Sequence, residues 1–522
     1  MNFETTKNIF IEGDNLEALK LLQESYLGKV KLIYIDPPYN TGHDFIYNDD
    51  FAETRQEYLE RSGQVDDSGA RLVANTESNG RFHSDWLSMM YPRLKLARNL
   101  LKSDGVFVMS ISDVEVANAR SLLDEIFGER NLVSQVVVKA RASISNDKII
   151  SESHSHLLIY ARDVTELDSL RSSIGIDPDL SGFSNPDGDS RGAWKAVPLD
   201  GPGGAKKGNP YYEFLGVKGF WRYSERTMQE KYEEGLIVRS KNGLQQKYFL
   251  SQACAKRKTV SSWWDDCGLN STATRRLSLL MGGSVFDTPK PLELLVKIIK
   301  MFTFGESVPI VFDFFCGSST MGHALLSVNA EDGARRRFVM VQLDEKTDPK
   351  LEAAKAGYST IAELSRERIR RAGRKILEES GKSEDELDIG FRAFRIDSSN
   401  RLDVQKSADE TVQSDLLSLT SGIETDRTSL DLLIQVMLEW GLELSLPIVR
   451  DDLAGREVFF VADDAVAACF EESVALDLVR EIAERQPLRA VFRDDAFASD
   501  AERINVEQVF RELSPVTDLK VI

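Results

Sequence analysis

The stretch Lys31-Leu32-Ile33-Tyr34-Ile35-Asp36-Pro37-Pro38-Tyr39-Asn40-Thr41-Gly42 decides the fold class. Its first six residues form a short aliphatic run that ends on an acid, the pattern of a strand buried on both faces. Pro37 and Pro38 follow at once; both fix φ and lack an N–H, so the strand must stop in a rigid turn. Working outward, similar runs occur at Val106–Ser112, Leu157–Arg162, Ile310–Phe315 and Phe338–Asp344, and all are read as buried parallel strands. Helical patterns lie between them, at Asn15 to Glu24, Trp86 to Leu101, Val114 to Phe127, Pro291 to Thr303 and Thr320 to Val328. Strand and helix in alternation imply an α/β protein with a doubly wound sheet, whose ligands sit at the carboxyl ends of the strands.

The chain has 522 residues, 42% of them hydrophobic, which is too long for one ordinary domain and too apolar for disorder. Cys254, Cys267, Cys316 and Cys469 are scattered without a CxxC spacing, so neither a disulfide framework nor a zinc site is expected and a reducing compartment is the default. Glu12 and Asp14 fall where a signal peptide would need apolar residues, and no later stretch offers eighteen uncharged apolar residues. The expectation is a cytoplasmic protein without a membrane anchor.

With 65 basic against 84 acidic side chains the net charge is −19, which at face value argues against a polyanionic partner. Residues 401–522 hold 12 basic and 26 acidic side chains, so the excess lies mostly in the tail. Residues 201–260 reverse the sign, with 12 basic against 5 acidic. Lys206, Lys207, Arg222, Lys256, Arg257 and Lys258 interleave there with Trp221, Tyr211, Tyr212, Tyr223 and Tyr248, as a surface that grips phosphates and stacks on bases requires. The plainer alternative is a small β-rich domain whose aromatics are core and whose charges are solvated.

The α/β rhythm breaks between Lys139 and Arg276, where glycines, prolines and turn pairs dominate. Four segments follow: residues 1–138 and 277–400 as two halves of one α/β core, 139–276 as a domain inserted between them, and 401–522 as an acidic α+β tail.

Two turns could carry chemistry. The Asp36 carboxylate and the Pro37 carbonyl can accept both hydrogens of an exocyclic amine, drawing its nitrogen toward tetrahedral, while Tyr39 stacks on the ring; Pro38 completes the turn. The alternative is a tight turn with an exposed tyrosine. The second is Asp313-Phe314-Phe315-Cys316-Gly317-Ser318-Ser319-Thr320, whose small residues allow a ligand close to the backbone at a helix start. Asp344 and Glu345 end a later strand where an acid can accept from ribose hydroxyls. No metal is expected, since the five histidines are scattered. His154 and His156 are read as structural or DNA-facing.

The order Gly13-Asp14-Asn15, Asp36-Pro37-Pro38-Tyr39, Thr288-Pro289-Lys290-Pro291 and Asp313-Phe314-Phe315-Cys316-Gly317 resembles β-class DNA amino-methyltransferases, and more narrowly the Mod subunit of type III restriction–modification systems. The resemblance spans about residues 1–400 and, more loosely, the tail. It implies a Rossmann-like methyltransferase core using S-adenosylmethionine, with Asp36 and Tyr39 as amine acceptor and stacking ring. Phe315, Cys316, Gly317, Ser319 and Thr320 would form the cofactor turn, and Lys290 and Asp14 would lie on the methionine and adenine sides of its pocket. It further implies methylation of adenine N6 in flipped-out duplex DNA, recognition by the inserted domain, a homodimer, and a separate restriction subunit with helicase and nuclease activity docking on the tail. The family usually has a second glycine where this chain has Ser319. Cytosine-N4 methylation and a catalytically degenerate DNA-binding subunit are the competing readings.

Overall fold

The computed structural model describes residues 3–41, 45–47, 72–74, 82–144, 149–240, 243–400, 423, 427–497 and 499–522. Gly42 and the start of the tail, 401–422, lie outside the described residues. The chain divides into two compact units, Leu170–Val260 and the remainder, Met1–Ser169 with Ser261–Ile522.

The larger unit is built on a nine-stranded sheet. In chain order its strands are β1 (Ile9–Glu12), β2 (Val30–Ile35), β3 (Leu101–Ile111), β4 (Leu132–Lys139), β5 (His154–Ala161), β6 (Trp263–Trp264), β7 (Ile310–Asp313), β8 (Arg337–Gln342) and β9 (Arg392–Arg395). They lie in the order β6-β4-β5-β3-β2-β7-β8-β1-β9. The expected run-to-acid strand is β2, with every residue buried, and it pairs in parallel with β3 and β7. Leu157–Arg162, read as a parallel strand, is corrected: β5 runs antiparallel to both β3 and β4. The described residues of the link from β4 to β5 form no crossover helix, and without one the chain returns antiparallel.

Among the described residues, the helices packed along the sheet include α1 (Asn15–Leu21), α2 (Phe82–Leu100), α3 (Val116–Phe127), α4 (Leu292–Phe302), α5 (Thr320–Asp332) and α6 (Ile361–Ser380). Helix α1 packs on α2 and α2 on α3, while α4 packs on α5 and α5 on α6. Helix α1 starts where the Asp14 carboxylate accepts from the amides of Leu16 and Glu17, a cap worth about 1 kcal/mol. Among the described residues no helix is long and apolar enough to cross a membrane.

The tail forms a five-stranded mixed sheet with helices, but not a unit apart. Leu432, Val436, Phe459, Val461 and Val491 share one hydrophobic cluster with Ile9, Leu19 and Val30 of the α/β core. A separate module at 401–522 is therefore corrected to a layer fused to the core, because one face of the tail's sheet is apolar and is covered there.

The smaller unit narrows the expected insertion of 139–276 to 170–260, since β5 and β6 complete the main sheet. It holds an antiparallel three-stranded sheet, a hairpin of Tyr211–Phe214 with Val217–Phe220, and the helix Glu225–Glu233. Leu199, Phe214, Trp221, Met228, Ile237 and Leu244 form its core.

Candidate active site

Strands β2 and β7 are hydrogen-bonded neighbours, so the turns that leave their carboxyl ends emerge side by side. A cavity of about 570 Å³ lies there, lined by Asp36, Pro37, Pro38 and Tyr39 from the first turn and by Asp313, Phe315, Cys316, Gly317 and Thr320 from the second, with Lys290 and Glu345. Sequence positions some 280 residues apart thus share one wall-to-wall site, as the strand-end rule for open α/β sheets requires.

The first turn is held from three sides. Trp86, fully buried on α2, donates from Nε1 to the Pro38 carbonyl at 2.8 Å. Ser110 of β3 meets the Tyr39 hydroxyl at 2.7 Å, and Ser112 donates to the Tyr39 carbonyl at 3.4 Å. Asn40, in the left-handed region at φ 56°, donates to Glu115 Oε1 at 2.5 Å and to the Phe82 carbonyl at 3.1 Å. The Pro38 carbonyl is engaged in this way, whereas the structure gives the Pro37 carbonyl no hydrogen bond among the described residues.

Lys290 Nζ lies 2.9 Å from Asp36 Oδ1 and 4.5 Å from the centre of the Tyr39 ring. Burial works against the charge of Lys290, but the Asp36 carboxylate and the Tyr39 hydroxyl outweigh it and hold the ammonium above the usual lysine range. Burial first, and the neighbouring Asp36 carboxylate second, push the Tyr39 hydroxyl up to about 12, so the ring is neutral. The Asp313 carboxyl is 2% exposed and burial holds it well above the usual carboxylate range.

The second turn is stapled from β8 and α6. Gln342 Oε1 accepts from the Gly317 amide at 2.7 Å, and the Ser365 hydroxyl donates to the Gly317 carbonyl. Arg368, buried, donates to Ser318 Oγ and Thr320 Oγ1, each at 2.7 Å. Gly317 and Ser319 both sit in the left-handed region, at φ 51° and 56°.

A model of the DNA methylase family matches residues 30–349, more than half of the chain. The chain belongs to this DNA methylase family. Over 403 residues it is 37% identical to the Type III restriction-modification enzyme StyLTI Mod subunit of Salmonella typhimurium, a match covering 75% of this chain and 60% of that protein. The EcoPI Mod subunit of Escherichia phage P1 is 30% identical over 434 residues, 75% of this chain and 65% of its own length. The Type II methyltransferase M.KpnI of Klebsiella pneumoniae is 28% identical over 390 residues, covering 70% of this chain and 87% of that one. The chain therefore spans less than two thirds of the length of the two Mod subunits.

Not every expected residue of the chain reaches the cavity. Asp14 caps α1 and contacts buried Arg93 at 3.4 Å, and it is not among the lining residues. Asp344 turns away to Arg395, also at 3.4 Å, leaving Glu345 as the strand-end acid in the cavity, its carboxyl raised by burial. Ser319 is fully buried behind the lining, its hydroxyl on Cys316 Sγ at 3.3 Å.

In the smaller unit, Trp221 is 1% exposed, and its Nε1 donates to the Tyr212 carbonyl at 3.0 Å. The expectation that it stacks on DNA is corrected, because a unit of this size needs it as core. Arg257 is corrected as well: its side chain is 4% exposed, pairs with Asp177 and donates to the Gly175 carbonyl. Lys206, Lys207, Arg222, Lys256 and Lys258 are exposed. The residues that sequence reasoning missed, Trp86, Ser110, Glu115, Gln342, Ser365 and Arg368, hold the turns from elements distant in sequence.

Proposed function

We propose that the chain is a site-specific DNA methyltransferase that moves a methyl group from S-adenosylmethionine to adenine N6, acting as the modification subunit of a type III restriction–modification system. The observation that carries this reading is the single cavity shared by the Asp36–Tyr39 turn and the Phe315–Thr320 turn. Its volume lies within the roughly 300–1,000 Å³ of small-molecule sites. The lining suits the cofactor. Gly317 leaves the backbone open, Phe286, Phe315 and Cys316 offer apolar surface, and the Glu345 carboxyl, with no hydrogen bond among the described residues, suits ribose hydroxyls.

Bound S-adenosylmethionine would supply an electrophilic methyl group on a sulfonium. The chain's own residues prepare the nucleophile. A flipped-out adenine stacks on Tyr39, which Ser110 and Ser112 hold in place. The Asp36 carboxylate and the Pro37 carbonyl accept the two amine hydrogens, pull the nitrogen out of conjugation, and stabilise the positive charge that develops on it. Lys290 neutralises Asp36 until the amine arrives. The exposed lysines and Arg222 of the smaller unit suit the DNA backbone. Aspartate at position 36 favours adenine over cytosine. A homodimer, a restriction subunit docking on the acidic tail, and a cytoplasmic setting complete the proposal.

The test is incubation of the protein with methyl-labelled S-adenosylmethionine and mixed-sequence duplex DNA, followed by nucleoside analysis. Label in N6-methyladenine is expected. DNA binding without label would replace the enzyme by a degenerate DNA-binding subunit, and label in N4-methylcytosine would overturn the adenine assignment.

A further inference from the structure

Outside the methyl-transfer cleft, the antiparallel pairing of β3 with β5 assembles a group of side chains that the proposed function does not use. Ile111 pairs with His156. Continued two residues on, that register carries Asp113 opposite His154, and the two-residue period of a strand puts His154 and His156 on one face. The side chains do converge: His156 Nε2 lies 2.6 Å and His154 Nε2 3.5 Å from Asp113 Oδ1. One ligand atom from each of the three residues falls within 4.8 Å of the others.

We propose that Asp113, His154 and His156 form a binding site for a first-row divalent cation of the zinc and cobalt class. Two imidazole nitrogens and one carboxylate oxygen are the donor set such ions prefer, whereas magnesium and calcium take oxygen donors. With bonds of about 2 Å, donors on one ion stand roughly 3–3.5 Å apart; the 3.5 Å between His154 and Asp113 already matches, while the 2.6 Å contact of His156 with Asp113 opens and the group, within 4.8 Å throughout, adjusts around the ion. Gln135 supplies the outer support: its side-chain amide is 3.4 Å from His156 Nδ1. Turned to present its oxygen, that amide accepts the Nδ1–H of a metal-bearing His156 and fixes the tautomer that frees Nε2. His154 also lines a cavity of about 300 Å³ together with Tyr39, Thr41, Ser112, Arg141 and Lys290, so the group stands at the edge of open space.

The placement gives the ion a mechanical consequence. Asp113 directly follows Ser112, which donates to the Tyr39 carbonyl. An ion on Asp113 pins the end of the segment that holds Tyr39 to the neighbouring strand β5. The inference does not depend on the methyltransferase reading, because the probe is the metal alone.

Untagged protein, stripped with chelator, is titrated with Co²⁺ and Zn²⁺. Visible absorption of bound cobalt, one equivalent of zinc by calorimetry, and a rise in melting temperature that chelator reverses are expected. Asp113→Asn and His154→Gln should each weaken binding by at least the roughly 10–100-fold typical of losing even an outer-shell partner. His83→Gln, at a histidine paired instead with Glu115, should leave binding unchanged. Absence of stoichiometric binding, or equal affinity in Asp113→Asn and wild type, overturns the proposal. Near-ultraviolet circular dichroism of each variant separates a lost ligand from a lost fold.

Discussion

Removal of the hydroxyl pair beneath the stacking ring tests whether β3 positions Tyr39. Ser110 is fully buried, and its Oγ lies 2.7 Å from the Tyr39 hydroxyl. Tyr39→Phe strands the buried Ser110 hydroxyl, at a cost of about 2 kcal/mol; Ser110→Ala leaves the phenol beside the Lys290 ammonium, at about 1 kcal/mol. With both hydroxyls gone no orphan remains, so the double variant should lose about 1 kcal/mol rather than the 3 of the summed singles. The coupling of about 2 kcal/mol is read from urea unfolding of the four proteins by circular dichroism. Coupling below about 0.5 kcal/mol would refute the pairing, since independent sites are additive within that margin. Methyl transfer supplies the second readout. Tyr39→Phe keeps the ring and should keep activity, whereas Tyr39→Ala removes a base–aromatic stack worth about 1–3 kcal/mol, roughly 5–150-fold in the apparent affinity for DNA.

Three further outcomes are expected. Asp36→Ala should abolish methyl transfer while S-adenosylmethionine still binds in calorimetry; loss of both together would misplace its role. Gly317→Ala should cost about 1 kcal/mol of stability, because the position sits at φ 51°. The added methyl meets the cavity-lining Phe286 at an ordinary 3.5 Å, so cofactor affinity should fall by more than the stability loss predicts. His323 of α5 is held down to about 3 by burial first and by Arg368 second, from 6.5. Between those values the unfolded chain binds a proton that the folded one refuses, so stability falls as pH drops through this window, by about 1 kcal/mol per unit. Urea unfolding at pH 7 and pH 5 should show a shallower loss in His323→Gln.

What the sequence disclosed was local. The strand ending at Asp36 and the turns at Pro37 and Gly317 are written in consecutive residues, through φ constraints and buried runs. Their supports are not, because Trp86, Ser110, Gln342 and Arg368 become neighbours of those turns only through strand order and helix packing. The choice between Asp344 and Glu345 shows the limit most clearly. Adjacent residues at a strand end point in opposite directions, and only the pairing of β9 beside β1 places Arg395 to claim Asp344. Trp221 and Arg257 misled for a related reason. A small unit must draw its core and internal ion pairs from the same basic and aromatic residues that would otherwise form a DNA-binding face.

Ser319 bears on whether the cofactor turn is degenerate. The position that usually carries a glycine adopts φ 56°, ψ 44°, the conformation that makes glycine favourable there. Serine in that region costs roughly 1–2 kcal/mol of backbone strain. Part of this is offset by the bond from its hydroxyl to Cys316 Sγ and by the 2.6 Å bond from its amide to the Cys316 carbonyl. The strain is therefore a stability cost, and obstruction is a separate question settled by where the side chain points. Ser319 is fully buried and outside the cavity lining, while Gly317, the residue that does face the cavity, is retained. The departure from glycine thus falls on the side of the turn that no ligand in the cavity touches. Ser319→Gly should change stability by no more than about 1 kcal/mol and leave S-adenosylmethionine affinity in place. A large gain in affinity from that single change would mean that the serine does constrict the site, and would restore the degenerate reading.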